Sequence, residues 1–144
     1  MLDHTRVALA TLLLLSGAGC SRRQSERLVT PEELALTMGS NVRPIILNVG
    51  PQVLYRRARI PGSRYVGMTS TPDGLAALGK EVQDLSRDAT IVIYCGCCPW
   101  EKCPNVRPAM EELDTLGFTK AKALFLPHNF QIDWVAKGLP VARE

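Results

Sequence analysis

Residues 90–105 read TIVIYCGCCPWEKCPN, and they join the most strand-like segment of the chain to a helix. The first five residues, Thr90–Tyr94, are uncharged and rich in β-branched side chains, which is typical of a buried strand. A helix is predicted to begin at Pro104 and to end near Leu116. The cysteine-rich loop between them should therefore lie at the carboxyl end of a strand, where open α/β sheets bind ligands.

Shorter elements on both sides repeat this alternation of strand and helix. Further strands are predicted at 44–49, 64–66 and 121–126, and further helices at 30–38, 71–85 and 129–137. The first of these helices begins with a Thr30-x-x-Glu33 capping box, and Trp134 in the last is predicted to be a core residue. The pattern predicts a single α/β domain, with a mainly parallel sheet of about five short strands and helices on both faces. The strands at 44–49 and 91–94 should be central.

Length and composition limit the classes of function. The 144 residues suffice for one domain, and 46% hydrophobic with 22% charged residues exclude a wholly disordered chain. A net charge of +3 and an aromatic content of 6% give no basis for binding nucleic acid. Four of the five cysteines lie between positions 95 and 103, so the function is sought there.

The amino terminus carries a short apolar run that ends in small residues before Cys20. The run at 7–15 is too short to span a bilayer, and it has the form of a secretory signal peptide. The small residues followed by cysteine resemble the bacterial lipobox, in which the cysteine is lipidated. We therefore expect a signal peptide at 1–19, and a lipidated amino terminus, a tether and the first helix at 20–39.

Lipidation of Cys20 implies an exported bacterial protein that is anchored to a membrane. Ser21 after the cysteine favours the periplasmic face of the outer membrane. Gly17 stands where lipoboxes usually carry leucine, so cleavage after Ala18 and export as a soluble protein is the main alternative. A buried amino-terminal helix is the third interpretation.

Cys95 is the predicted catalytic nucleophile. Backbone N–H groups and the positive end of the next helix should surround it, lowering its pKa and favouring the thiolate. The same N–H groups can hold an anion. Gly96 allows the backbone to approach that anion closely because it carries no Cβ. The N–H groups of Cys97 and Cys98 are the expected donors, and Arg107 in the next helix is a candidate to add a positive charge.

A nucleophilic sulfur beside an anion site suits attack on a small anionic sulfur donor, which leaves a persulfide on the cysteine. A thiol then accepts the sulfur, and Cys98 or Cys103 is the candidate to resolve the persulfide by forming a disulfide. Neither a cofactor nor a metal ligand is assigned, and the sequence does not indicate a protein partner.

Three other functions are compatible with the same cysteines. Cys95 and Cys98 form a Cys-x-x-Cys pair after a strand, which is a thiol–disulfide redox pattern. In an exported protein, a disulfide from either of them to Cys103 is also an option. Four thiolates suit a soft metal such as Cu(I) or Zn²⁺, although zinc sites usually join two separated pairs and these sulfurs lie within nine residues. The last alternative is a non-catalytic binding module.

Over residues 40–142, the chain resembles the rhodanese family. Four segments carry the resemblance: the turn Arg59–Ser63, the strand ending at Cys95, the helix end Glu112–Phe118, and the closing stretch Trp134–Val141. The resemblance implies a rhodanese-like domain at 40–142. It also implies sulfur transfer through Cys95 from a donor such as thiosulfate to a thiol or cyanide.

The chain departs from the family pattern in three places. Asn48-Val49-Gly50 stands where the family usually has Asp-x-Arg, so an ion pair that braces the loop is absent. The loop is longer than is common, because the next helix begins about nine residues after Cys95. The family's loop arginine has no close counterpart, since Arg107 follows Cys95 by twelve positions.

Overall fold

The computed structural model describes residues 27–144, so the predicted signal peptide and Cys20 lie outside the described residues. The helices and strands are β1 Leu28–Val29, α1 Pro31–Met38, β2 Ile45–Asn48, α2 Gln52–Arg57, β3 Arg64–Tyr65, α3 Pro72–Val82, β4 Ile91–Tyr94, α4 Val106–Thr115 and β5 Ala121–Leu124. A 3₁₀ turn at Trp100–Lys102 and a π-helical turn at Gln131–Val135 complete them. Within 27–144, no helix is long and apolar enough to cross a bilayer.

The five strands form one sheet in the order β1-β5-β4-β2-β3. Every neighbouring pair is parallel. Ile93 of the central strand β4 lies opposite Leu47 of β2 and Ala123 of β5. The predicted parallel sheet of five short strands, with β2 and β4 in its interior, is confirmed.

Helices cover both faces of the sheet, as predicted. Because successive strand residues point to opposite faces, β4 contributes to two cores. Ile91 and Ile93 belong to the core that α3 and α4 cover, and Val92 and Tyr94 belong to the core that contains α1 and the π-helical turn. All four side chains are buried, so the central strand is fixed from both sides.

The described fold includes β1 and α1, which both lie before the predicted domain start at residue 40. β1 pairs in parallel with β5. Leu34 of α1 is buried in the same core as Val92 and Tyr94. The capping box at the start of α1 is confirmed, since Thr30 accepts from the N–H of Glu33 and the Glu33 carboxylate accepts from the N–H of Thr30. A strand of two residues is too short to produce a periodic pattern, so the sequence analysis assigned these residues to the tether.

The other differences concern short elements and helix ends. The six-residue helix α2 buries no side chain, so no apolar pattern announces it. α3 ends at Val82, short of the predicted end at Leu85. In place of the helix predicted at 129–137, the structure has the π-helical turn. The Asp133 carboxylate accepts hydrogen bonds from the N–H groups of His128 and Asn129 and so fixes the start of this turn.

Candidate functional site

Cys95 lies directly after β4, at the carboxyl edge of the sheet. The neighbouring strand β2 reaches the same edge, where the N–H of Val49 donates to the carbonyl of Tyr94 at 2.9 Å. The Cys95 side chain is buried, with 4% of the residue exposed. The predicted placement of Cys95 at the end of the central strand is confirmed.

The loop after Cys95 turns back and brings the other cysteines to it. The 3₁₀ turn at Trp100–Lys102 closes when the N–H of Cys103 donates to the carbonyl of Trp100 at 3.2 Å. As a result, the Sγ atoms of Cys95, Cys97 and Cys103 all lie within 4.8 Å of one another. The Sγ of Cys97 is 3.2 Å from that of Cys95 and 2.9 Å from that of Cys98. All four are free thiols.

The lowered pKa in this cluster belongs to Cys103 rather than to Cys95. The pKa of Cys103 is lowered to about 6, because the Cys95 thiol donates to it and the backbone N–H groups of Asn105 and Val106 point at it. The pKa of Cys95 is raised by that donated hydrogen bond and by burial. Burial also raises the pKa of Cys98 to about 12. The expected low pKa of Cys95 is therefore wrong, since the first N–H groups of α4 serve Cys103.

Gly96 is required by the turn of the chain. Its φ is +76°, a conformation that side chains rarely adopt. A Cβ added there would lie 2.6 Å from the Cβ of Phe130, whose N–H donates to the carbonyl of Gly96 at 3.2 Å. The absence of a side chain at Gly96 thus serves the contact with Phe130, and the predicted approach to an anion is not needed to explain it.

Gly50 leaves room for the Cys95 sulfur. A Cβ at Gly50 would lie 3.0 Å from the Sγ of Cys95 and 2.8 Å from its carbonyl oxygen. The side chain of the buried Asn48 accepts from the N–H of Gly50 at 3.1 Å and so holds the turn. Asn48 and Gly50 occupy the positions of the family's Asp-x-Arg, and an arginine at Gly50 would collide with Cys95.

Asn105 is a site residue that the sequence analysis missed. Its side-chain amide donates to the Sγ of Cys95 at 3.4 Å, and its carboxamide oxygen accepts from the N–H of Ser70 at 3.0 Å. The backbone carbonyl of Asn105 accepts from the Thr69 hydroxyl at 2.6 Å. Its position before a helix is typical of an N-cap, but the side chain makes no capping bond and serves Cys95 instead. This contact depends on the tertiary fold, so the sequence carries no signal for it.

Arg107 has a different partner from the one predicted. Its guanidinium pairs with Glu111 at 3.0 Å along the surface of α4, and 87% of the side chain is exposed. The helix turns this position away from the sheet, so the structure does not place Arg107 in an anion site beside the cysteines.

Tyr94 connects the end of β4 to the turn at Arg59–Ser63. Its hydroxyl accepts from the N–H of Ile60 at 3.3 Å and lies 3.1 Å from the Ser63 hydroxyl. Burial raises the pKa of Tyr94, so the phenol stays neutral at physiological pH. This buried pairing fixes the strand end from which the cysteine loop starts.

Solved structures of other proteins have a similar fold. The BH2092 protein from Bacillus halodurans is 18% identical with a TM-score of 0.65, the match covering 85% of this chain and 81% of that chain. The Alr3790 protein from Anabaena sp. is 18% identical with a TM-score of 0.60, covering 81% and 82%. The single-domain sulfurtransferase RDL2 from Saccharomyces cerevisiae is 18% identical with a TM-score of 0.57, covering 78% and 90%. No curated protein matches the chain significantly.

The match to a family model is more specific than these structural likenesses, which show the fold. The model of the Rhodanese-like domain matches residues 30–124, from the first residue of the capping box to the last residue of β5. That segment contains the central strand, all four clustered cysteines and the helix that follows them. The chain therefore belongs to the rhodanese-like domain family.

Proposed function

We propose that this chain is a sulfurtransferase that moves sulfane sulfur from a small anionic donor, such as thiosulfate, to a thiol or cyanide. Cys95 carries the sulfur as a persulfide. The observation that carries the proposal is the position of Cys95 at the carboxyl end of β4 in a rhodanese-like domain. A strand end at this edge is where an open α/β sheet presents reactive groups to a ligand.

The chemistry needs no cofactor to balance. The Cys95 thiol passes its proton to the Cys103 sulfur, to which it donates. Its own sulfur then attacks the outer sulfur of thiosulfate, a new S–S bond forms, and sulfite leaves with the electron pair of the old one. The acceptor then attacks the outer sulfur of the persulfide, and Cys95 regains its original state. No electrons are gained or lost by the protein over the cycle.

Two hydrogen-bond donors support the reacting sulfur. The backbone N–H of Cys97 points at Cys95, and the Asn105 amide donates to its Sγ at 3.4 Å. Fixed donors in a buried site stabilise charge where it develops. The N–H groups of Cys97 and Cys98 are our proposed contacts for the anionic end of the donor.

A thiol–disulfide activity is the second candidate, and the proximity of the four sulfurs favours it. Cys103 or Cys98 would attack the inner sulfur of the persulfide. The product would be a disulfide, with the outer sulfur released as sulfide, so two thiols are oxidised while one sulfane sulfur is reduced.

Covalent capture of sulfur tests the main proposal. The reduced chain treated with thiosulfate should gain the mass of one sulfur atom on the peptide that contains Cys95. Added cyanide should remove that mass and form thiocyanate in equal amount. Intact-protein and peptide mass spectrometry measure both steps. A chain that gains no sulfur, or that gains it only on another cysteine, contradicts the assignment.

We also propose that the chain is exported and anchored to a membrane through lipid at Cys20, facing the periplasm from the outer membrane. Cys20→Ala should move the protein from the membrane fraction to the soluble fraction, because the variant lacks the thiol that would carry the proposed lipid. The matched control is Ser21→Ala, which should stay with the membrane. Fractionation and the mass of the amino-terminal peptide provide the readout, and a Cys20→Ala protein that stays membrane-bound would refute the anchor.

A further inference from the structure

We propose that the cysteine loop is a binding site for a soft metal cation, Cu(I), with Cys95, Cys97 and Cys103 as its ligands. The three Sγ atoms lie within 4.8 Å of one another, and they are the one such group of metal-ligating side chains in residues 27–144. The argument for this site does not rest on sulfur transfer, although both activities would use Cys95.

The spacing of the sulfurs fits a three-coordinate metal. Three sulfurs in a plane around an ion, each at a metal–sulfur distance of about 2.3 Å, are about 4.0 Å apart. The separation of 3.2 Å between the sulfurs of Cys95 and Cys97 needs to widen by only about 0.8 Å to reach that value.

The fold holds the ligands close together without the metal. Cys95 is fixed by the end of β4, and Cys97 follows the positive-φ turn at Gly96, which is tied to Phe130. Cys103 is held by its hydrogen bond to the carbonyl of Trp100. The short spacing in sequence argued against a metal, but the 3₁₀ turn folds the loop back and removes that objection. Ligands held in advance lose less conformational entropy on binding.

The set of donors selects the kind of metal. Cysteine thiolates favour Cu(I), zinc and iron–sulfur clusters. Structural zinc takes four protein ligands in a tetrahedron, whereas the group here has three sulfurs and contains no histidine or carboxylate. Cys98 contacts Cys97 but does not belong to the converging group. The Asn105 amide donates to Cys95 from outside the group, which offsets part of the negative charge of a thiolate complex.

Competition with a chromogenic Cu(I) chelator, bathocuproine disulfonate, tests the site. Under anaerobic conditions, the reduced full chain should bind one equivalent of Cu(I) and withhold it from the chelator. Cys97→Ser should lower the affinity for Cu(I) by more than about 100-fold, beyond the 10–100-fold cost of losing an outer-shell partner. Cys98→Ser is the matched control, and its affinity should stay within about tenfold of the wild type. Near-ultraviolet circular dichroism verifies that each variant is folded, and Cys97→Ala replaces Cys97→Ser if that variant does not fold.

Three results would overturn the proposal: no Cu(I) is withheld, Cys98→Ser loses as much affinity as Cys97→Ser, or Zn²⁺ displaces Cu(I) at equal concentration. The persulfide experiment separates this proposal from the proposed function. A chain that forms a persulfide but withholds no Cu(I) retains the sulfurtransferase assignment alone. A chain that withholds Cu(I) but forms no persulfide retains the metal site alone. Where both hold, Cu(I) should block persulfide formation, because the ligand electron pair of Cys95 is no longer free to attack.

Discussion

Cys95→Ser should reduce sulfur transfer from thiosulfate to cyanide by more than about 10³-fold, since removing a single charge-stabilising donor already costs about 10²–10³-fold. A hydroxyl in place of the thiol cannot carry the sulfur as a persulfide, so the variant loses the covalent pathway itself. The measurement is thiocyanate formation under reducing conditions. Mass spectrometry of the same variant should show no added sulfur at position 95.

Cys103→Ser and Cys98→Ser are the controls that make this result specific. Cys103→Ser removes the hydrogen-bond partner of Cys95 and should lower transfer only in part, because the proposed nucleophile is still present. The opposite pattern, with transfer retained in Cys95→Ser and abolished in Cys103→Ser, would place the nucleophile at the start of α4. The pKa of Cys103 is lowered to about 6, so Cys103 is the main alternative to Cys95 as the nucleophile.

Much of the fold can be predicted because its central strand is so distinctive. Thr90–Tyr94 is uncharged and four of its five residues are β-branched, which is typical of a strand buried on both faces. The capping box at Thr30 places α1 with equal clarity. β1 and α2 escape prediction because the first has two residues and the second buries none. Their formation depends on neighbours distant in sequence.

The site can be predicted only where it follows from the order of elements. A strand, a loop and a helix place Cys95 at the sheet edge, and the structure agrees. The backbone hydrogen bonds of the 3₁₀ turn bring Cys103 back towards Cys95. No residue pattern in the loop predicts this turn. For the same reason the sequence assigned the low pKa to Cys95. The N–H groups of α4 reach the cysteine nearest the helix, which is Cys103.

The family pattern is altered here in a way that the packing explains. Gly50 lies so close to Cys95 that any side chain would meet its sulfur or its carbonyl, and Asn48 holds the turn with its own side chain. The loop is braced by other contacts, from Asn105 on one side and from Phe130 on the other. The absence of the Asp-x-Arg ion pair therefore does not leave the cysteine loop unsupported.

Trp134→Ala should lower the free energy of unfolding by about 3–5 kcal/mol, the usual cost of truncating a buried tryptophan. Trp134 is fully buried, which confirms the prediction that it is a core residue. Its ring stacks on Phe130 with a centroid separation of 5.9 Å, and its Nε1–H donates to the carbonyl of Pro140 at 2.8 Å. The variant loses the packed surface and leaves the Pro140 carbonyl without this donor. Urea unfolding measures the change.

Trp134→Phe separates the packing of the ring from its hydrogen bond. It keeps an aromatic ring against Phe130 and loses the donor to Pro140, so it should be less destabilising than Trp134→Ala, although the smaller ring also loses some packing. Because Phe130 contacts Gly96, Trp134→Ala should also speed hydrogen exchange at the backbone N–H of Cys97, whereas Trp134→Phe should change it little. Equal destabilisation by both variants, or unchanged exchange in Trp134→Ala, would show that the core around Trp134 and Phe130 does not support the cysteine loop.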